Sequence, residues 1–252
     1  METILYTALV VVLLPYLLNP ILLRIKLRDY YEPCLESVPE ESLSQDVKEY
    51  LDSTVENFKQ QGFYHCTYAR IKNLAGTGEI FISLWFHRQE GISAYPSIAY
   101  MRLMNQPAKV FAKSICFVTR FSETSQFETS TSGVPTPLAM LPLRPCVQLP
   151  ESMEFQDLFA AHKALAKNFH PGSERLRVAE GQELATMKRK ITEIHQYQIQ
   201  VGRWVLDTTP NVYCATWKCA FINGWQFAWP VSSVRKWLLK SRAEKLQASL
   251  KN

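Results

Sequence analysis

Glycine is scarce in this 252-residue chain, at nine residues, and no glycine-rich loop can be assembled from it. The G-x-x-x-x-G-K-[ST] and G-x-G-x-x-G patterns are absent, which removes the common phosphate and dinucleotide cradles. H-E-x-x-H and G-x-S-x-G are missing too, so neither a zinc-protease helix nor a nucleophile elbow is on offer. The six cysteines, at 34, 66, 116, 146, 214 and 219, contain no C-x-x-C and are too few for a disulfide scaffold. Six reduced thiols, no metal and no resident cofactor are expected. With 47% hydrophobic residues and a net charge of only +5, the chain has the material for a packed core and is not a disordered one.

Charge is also missing where it matters most. From Thr3 to Leu23 the sequence TILYTALVVVLLPYLLNPILL has no ionisable acid or base apart from tyrosine. As a helix it reaches about 30 Å, the thickness of a hydrocarbon core. Arg24, Lys26 and Arg28 follow at once, which by the basic-flank rule places the bulk of the chain on the cytoplasmic side. A membrane anchor is therefore expected over 1–28. Pro15 and Pro20 each remove a helix hydrogen bond, so the segment either kinks while spanning or bends back within one leaflet. The basic n-region and cleavage site of a signal peptide are not there.

The C-terminal end has the complementary character. Five of the six tryptophans fall between 204 and 237, among them Trp217, Trp225, Trp229 and Trp237. Tryptophan favours the headgroup level, where its ring is half apolar and its N–H finds a partner. Beyond Pro230, Leu239, Ala243, Leu246 and Leu250 share one narrow helical stripe, and Arg235, Lys236, Lys240, Arg242, Lys245 and Lys251 surround it. Residues 211–252 are read as a basic amphipathic tail that attaches to anionic lipid through Trp225, Trp229, Trp237, Lys240, Arg242 and Lys245. Basic residues confined to one terminal helix do not make a nucleic-acid face.

Between the ends, 29–42 reads as a linker and 43–210 as an α+β domain. Ser42 and Gln45 have the form of a capping box ahead of a helix that Gly62 ends. Five stretches (63–72, 79–88, 92–104, 109–121 and 126–132) alternate with period two and are joined by short turns, which forces an antiparallel meander. Pro96 is expected at an edge or bulge. A proline-rich strap follows through Pro150, then a helix capped by Ser152. Leu184, Met187, Ile191, Ile194, Gln198, Val201 and Val205 then step in heptads. The last two helices are read as a helical hairpin covering the sheet, and the 184–194 part of the seam as the surface for a protein partner or self-association.

Catalytic candidates are sparse. His65 and Cys66 are adjacent in a strand and so point to opposite faces; His87 comes opposite His65 across the first hairpin; Thr119 lies in a threonine-rich hairpin. His162 is expected as a hydrogen-bonded core residue. The F-x-T-x-F…T-S pattern of 117–132 and T-W-K-x-A…W…W-P from Thr216 to Pro230 resemble segments of uncharacterised bacterial membrane-anchored proteins. That resemblance implies membrane attachment and brings no activity with it. The function expected is a membrane-anchored interaction or ligand-binding module without catalysis; the alternative is a membrane-proximal enzyme using His65, His87, Cys66 or Thr119.

Overall fold

A computed structural model describes residues 2–30, 34–74, 78–101, 107–132, 138–208, 211–228 and 230–251. The chain begins with helix α1 (Glu2–Lys26) and strands β1 (Arg28–Tyr30) and β2 (Leu35–Val38), followed by helix α2 (Gln45–Gln60). Five strands succeed one another: β3 (Tyr64–Leu74), β4 (Gly78–His87), β5 (Ile92–Met101), β6 (Lys109–Arg120) and β7 (Gln126–Ser130). After the short strand β8 (Cys146–Gln148) come helices α3 (Phe155–Phe169) and α4 (Glu183–Gln200), strands β9 (Trp204–Asp207) and β10 (Val212–Ala215), and helices α5 (Trp217–Phe227) and α6 (Val231–Lys251).

The architecture is α+β. Strands β3 to β7 form the expected antiparallel meander, and the sheet grows to seven strands in the order β2-β3-β4-β5-β6-β7-β8, with β8 parallel to β7. Segment 29–42 is thus more than a linker. Its residues pair with β10 through β1 and with β3 through β2. Pro96 lies in the middle of the central strand β5, away from any edge. The pairing of β5 with β4 is interrupted between Ala94 and Ser97, so the N–H that proline lacks is not missed there.

The two faces of the sheet are covered by different helices. On one face Trp85, Ile92, Ala94 and Phe117 meet Phe58 of α2 and Phe155, Leu158 and Phe159 of α3. Phe58 stacks on Trp85 at 5.1 Å and takes the edge of Phe155 at 4.6 Å, aromatic geometries that add to the simple burial of area. On the other face Leu184 and Met187 of α4 pack over Ala69, Ile82 and Leu84. Helices α3 and α4 therefore do not form the expected hairpin. The segment 170–182 carries the chain around the end of the sheet, held by the Leu176 N–H on the Arg120 carbonyl and by an Arg88–Glu180 ion pair.

The caps and ends also differ from the sequence reading. Helix α2 starts after Ser44, whose hydroxyl bonds Asp46, while Ser42 turns back onto the Pro39 carbonyl. Glu154, and not Ser152, precedes α3. The heptad run stops at Gln200, because Gly202 takes a φ of +70° and Val205 enters β9. Gln198, the polar member of the seam, is fully buried. Its amide closes on the N–H (2.7 Å) and carbonyl (2.9 Å) of Ala139 and so ties the proline-rich strap to α4.

A second sheet, β1-β10-β9, sits beside the first around Leu27, Trp204, Tyr213, Ala215 and Cys219. It joins α1 to α5: the Ala215 N–H donates to the Leu27 carbonyl just where one helix ends and the other is about to begin.

Candidate functional site

Helices α1 and α5 run antiparallel from that junction. The contact between them is built from small residues. Cys219, Ala220, Asn223 and Gly224 form the buried side of α5, and a Cβ added at Gly224 would come within 2.9 Å of the Pro20 ring. Only glycine permits this approach. Pro20 in turn has no N–H to give the Tyr16 carbonyl four residues back. The indole N–H of Trp225 donates to that carbonyl at 3.3 Å, so α5 supplies the bond that α1 lacks.

The polarity of this pair is inverted with respect to a water-facing helix. Pro20 is buried against α5 and Tyr16 and Asn19 are half-buried, whereas Leu13, Leu14, Leu17, Leu18, Ile21, Leu22 and Ile25 are exposed, Leu17 by 63% and Ile25 by 59%. On α5 the buried side carries the small residues and the asparagine, while Trp217, Phe221 and Trp225, spaced i, i+4 and i+8, face outward. Val231, Val234, Trp237 and Leu238 extend the apolar surface onto the first two turns of α6. Isolated apolar residues on a surface need no explanation; a continuous face of this kind marks an interaction surface. Arg24, Lys26 and Arg28 border it at the junction, and Lys240, Arg242 and Lys245 lie further along α6. Trp229 lies outside the described residues.

Helix α6 is less amphipathic than its leucine stripe implies. Val231, Val234, Trp237 and Leu238 are exposed and Leu239 is half-buried, while Ala243, Leu246 and Leu250 of the expected stripe have side chains outside what the structure describes. Among the described residues no helix is long and apolar enough to cross a membrane, and the spanning helix expected from the sequence lacks that support.

The catalytic candidates do not converge. Thr119 is spent on His162, which is fully buried and bridges Thr119 (2.8 Å, Nε2) and Thr129 (3.0 Å, Nδ1). His65 pairs with Trp85 across the β3–β4 hairpin and not with His87 as expected; its ring packs on Trp85 and Tyr68, and the partial loss of water there lowers its imidazole pKa. Cys66 joins the opposite face beside Ala69, and burial first, then the Glu183 charge, pushes its thiol up to about 12. A thiol held that high is not a nucleophile near neutral pH. His87 lies against Phe63 and Phe159, its pKa also lowered by burial, and it lines a cleft of about 270 Å³ with Tyr64, Arg88 and Arg177. Among the described residues that line it there is no cysteine, serine or threonine, and Arg88 covers the Tyr64 ring at 4.4 Å.

Among the described residues no three His, Cys, Asp or Glu side chains gather as a metal site, and all six cysteines are free thiols. Leu184 and Met187 of the heptad seam are turned onto the sheet, and Ile191 and Ile194 are half-buried beside them.

Compared with protein families, with curated proteins and with solved structures, the chain finds no match. The likeness of 117–132 and 216–230 to membrane-anchored proteins therefore has no family-level match behind it.

The feature that sequence reasoning missed is the pairing of Pro20 with Gly224 and Trp225. An A-x-x-x-G spacing at Ala220 and Gly224, beside a proline-bearing apolar helix, was the available signal.

Proposed function

We propose that this protein is a membrane-attached module whose α+β domain is held on the cytoplasmic face of a bilayer by the apolar surface of α1, α5 and the start of α6, and that it acts there by binding rather than by catalysis. The observation that carries this reading is the inverted polarity of the α1–α5 pair, with leucines and tryptophans outward and Pro20, Asn223 and the small residues of α5 inward. In water such an arrangement leaves its best apolar area unburied; against lipid it buries that area and hides its polar groups. The basic border of Arg24, Lys26 and Arg28 and the six free thiols support a cytoplasmic setting.

Vesicle flotation tests the proposal. The full chain is expected to float with lipid vesicles. A variant in which the exposed Leu17, Leu22 and Phe221 are replaced by serine should keep its circular dichroism and stay at the bottom of the gradient. A wild-type chain that is monodisperse without detergent and ignores vesicles would overturn the reading.

A further inference from the structure

We infer that the α1–α5 pair lies along a single leaflet, and that α6 rests on its anionic phospholipid headgroups, so the chain enters the bilayer without crossing it. This rests on the membrane reading above and specifies its geometry.

The argument is one of levels. Because α1 and α5 are antiparallel, Leu27 is level with Ala215, Pro20 with Gly224, and Tyr16 with Trp225. Arg235 of α6 donates to the side-chain oxygen of Gln226 at 2.6 Å, so its guanidinium stands next to the Tyr16 level. Arg24 is eight positions beyond Tyr16 on α1, roughly 12 Å along the axis. If α1 crossed upright with Arg24 at one interface, Arg235 would sit inside a hydrocarbon core about 30 Å thick. The rest of α6 leaves from that level, with Lys240, Arg242 and Lys245 exposed on it. Glu244, the acidic residue among them, stands 3.9 Å from Lys240. An upright pair thus commits the Arg235 guanidinium to the apolar region, where an ionised side chain is disfavoured.

Laid along the surface, the same pair meets no such conflict. Leu17, Ile21, Trp217, Phe221 and Trp225 dip below the headgroups, and Arg24, Arg235 and the α6 cations stay at their level. Pro20, whose missing N–H to the Tyr16 carbonyl is replaced by the Trp225 indole N–H, serves here as a packing residue against Gly224. The chemistry of the ligand follows from the charges: a leaflet containing anionic phospholipid.

The test uses the full chain carrying an N-terminal epitope, synthesised cell-free with phosphatidylcholine vesicles containing about one third phosphatidylserine. Flotation together with removal of the epitope by protease added outside is the expected result. Flotation with the epitope protected would mean that α1 crosses; it would overturn this inference and leave the membrane reading standing. Failure to float would remove both. For the headgroup contact, K240Q/R242Q/K245Q should weaken binding to these vesicles by about fivefold per charge removed, and bind phosphatidylcholine alone as the wild type does. Equal affinity of variant and wild type for the anionic vesicles would remove α6 from the contact.

Discussion

The indole N–H of Trp225 occupies the carbonyl of Tyr16, the one backbone oxygen that Pro20 leaves without its helical donor. Two residues far apart in sequence thereby complete a single helix. If that is the role of the bond, its loss must depend on Pro20. Trp225→Phe keeps the ring and drops the donor, and should lower stability by about 0.5–1.5 kcal/mol, the net worth of one hydrogen bond. Pro20→Ala restores an N–H at position 20 within α1. The double variant is therefore expected to lose less than the sum of the singles, read from the unfolding midpoints of all four proteins on vesicles. Strict additivity would show that the bond contributes nothing.

Gly224 makes the same interface geometric. Its missing Cβ is the space that the Pro20 ring fills, with Cγ and Cδ both 2.9 Å from where a methyl would stand. Gly224→Ala should cost about 1–3 kcal/mol, as overpacking does, despite alanine's better helix propensity. Limited proteolysis at the junction near Leu27 is expected to quicken in the variant. An unchanged cleavage rate would mean that α1 can shift freely away from α5.

Much of the sheet was legible because its signal is local. Period-two alternation and short turns are sufficient to define β3 to β7 and their antiparallel order. The edges were not legible, because β2 and β8 are three or four residues long and owe their pairing to tertiary neighbours. The side of the sheet taken by α4 was hidden for a related reason. A heptad stripe says that a helix buries one face, and says nothing of which surface receives it. At the candidate site, the separate amphiphilicities of α1 and α5 could be read from sequence. Their reciprocal fit at Pro20 and Gly224 spans some two hundred residues, and composition carries no trace of it.

His162 gives the fold an acid limit. Its ring is fully buried between Thr119 and Thr129, and burial, helped by the Arg175 charge, pushes its pKa down to about 3 from an ordinary 6.5. Between those values the unfolded chain binds a proton that the folded one refuses, so stability is complete above pH 6.5 and is lost as the pH falls towards 3. The loss should amount to roughly 4 kcal/mol at the acid end. His162→Gln, which keeps a hydrogen-bonding side chain and does not titrate, should flatten that limb of the denaturation profile. An identical acid profile for the two proteins would show that the buried ring is protonated without penalty.

Lys190 acts at the alkaline end with a sign that is easily mistaken. It lies on the buried side of α4, 8% exposed, close enough to Glu128, Arg120 and Arg144 to feel their charges. Burial pushes its ammonium down to about 8 from 10.5, against the pull of Glu128, whose own carboxyl is raised by burial. From pH 8 to 10.5 the unfolded chain holds more protons at this site than the folded one, so this residue alone makes stability rise with pH, by roughly 3 kcal/mol across the window. The partly buried thiols of Cys66 and Cys146, both pushed up to about 12, work in the opposite direction, because the folded state keeps protons that the unfolded one releases. A bare profile of the wild type mixes the two. The difference between wild type and Lys190→Met/Glu128→Gln reports mainly the lysine, since burial, the main cause of the thiol shifts, is kept in both proteins and Glu128 adds only a smaller part. At pH 7 the double variant is expected to equal or exceed the wild type, as apolar or neutral replacements of buried charge pairs often do. By pH 10.5 the balance should have moved about 3 kcal/mol towards the wild type. A difference that stays constant from pH 7 to 10.5 would mean that Lys190 keeps its proton in the folded chain as readily as in the unfolded one.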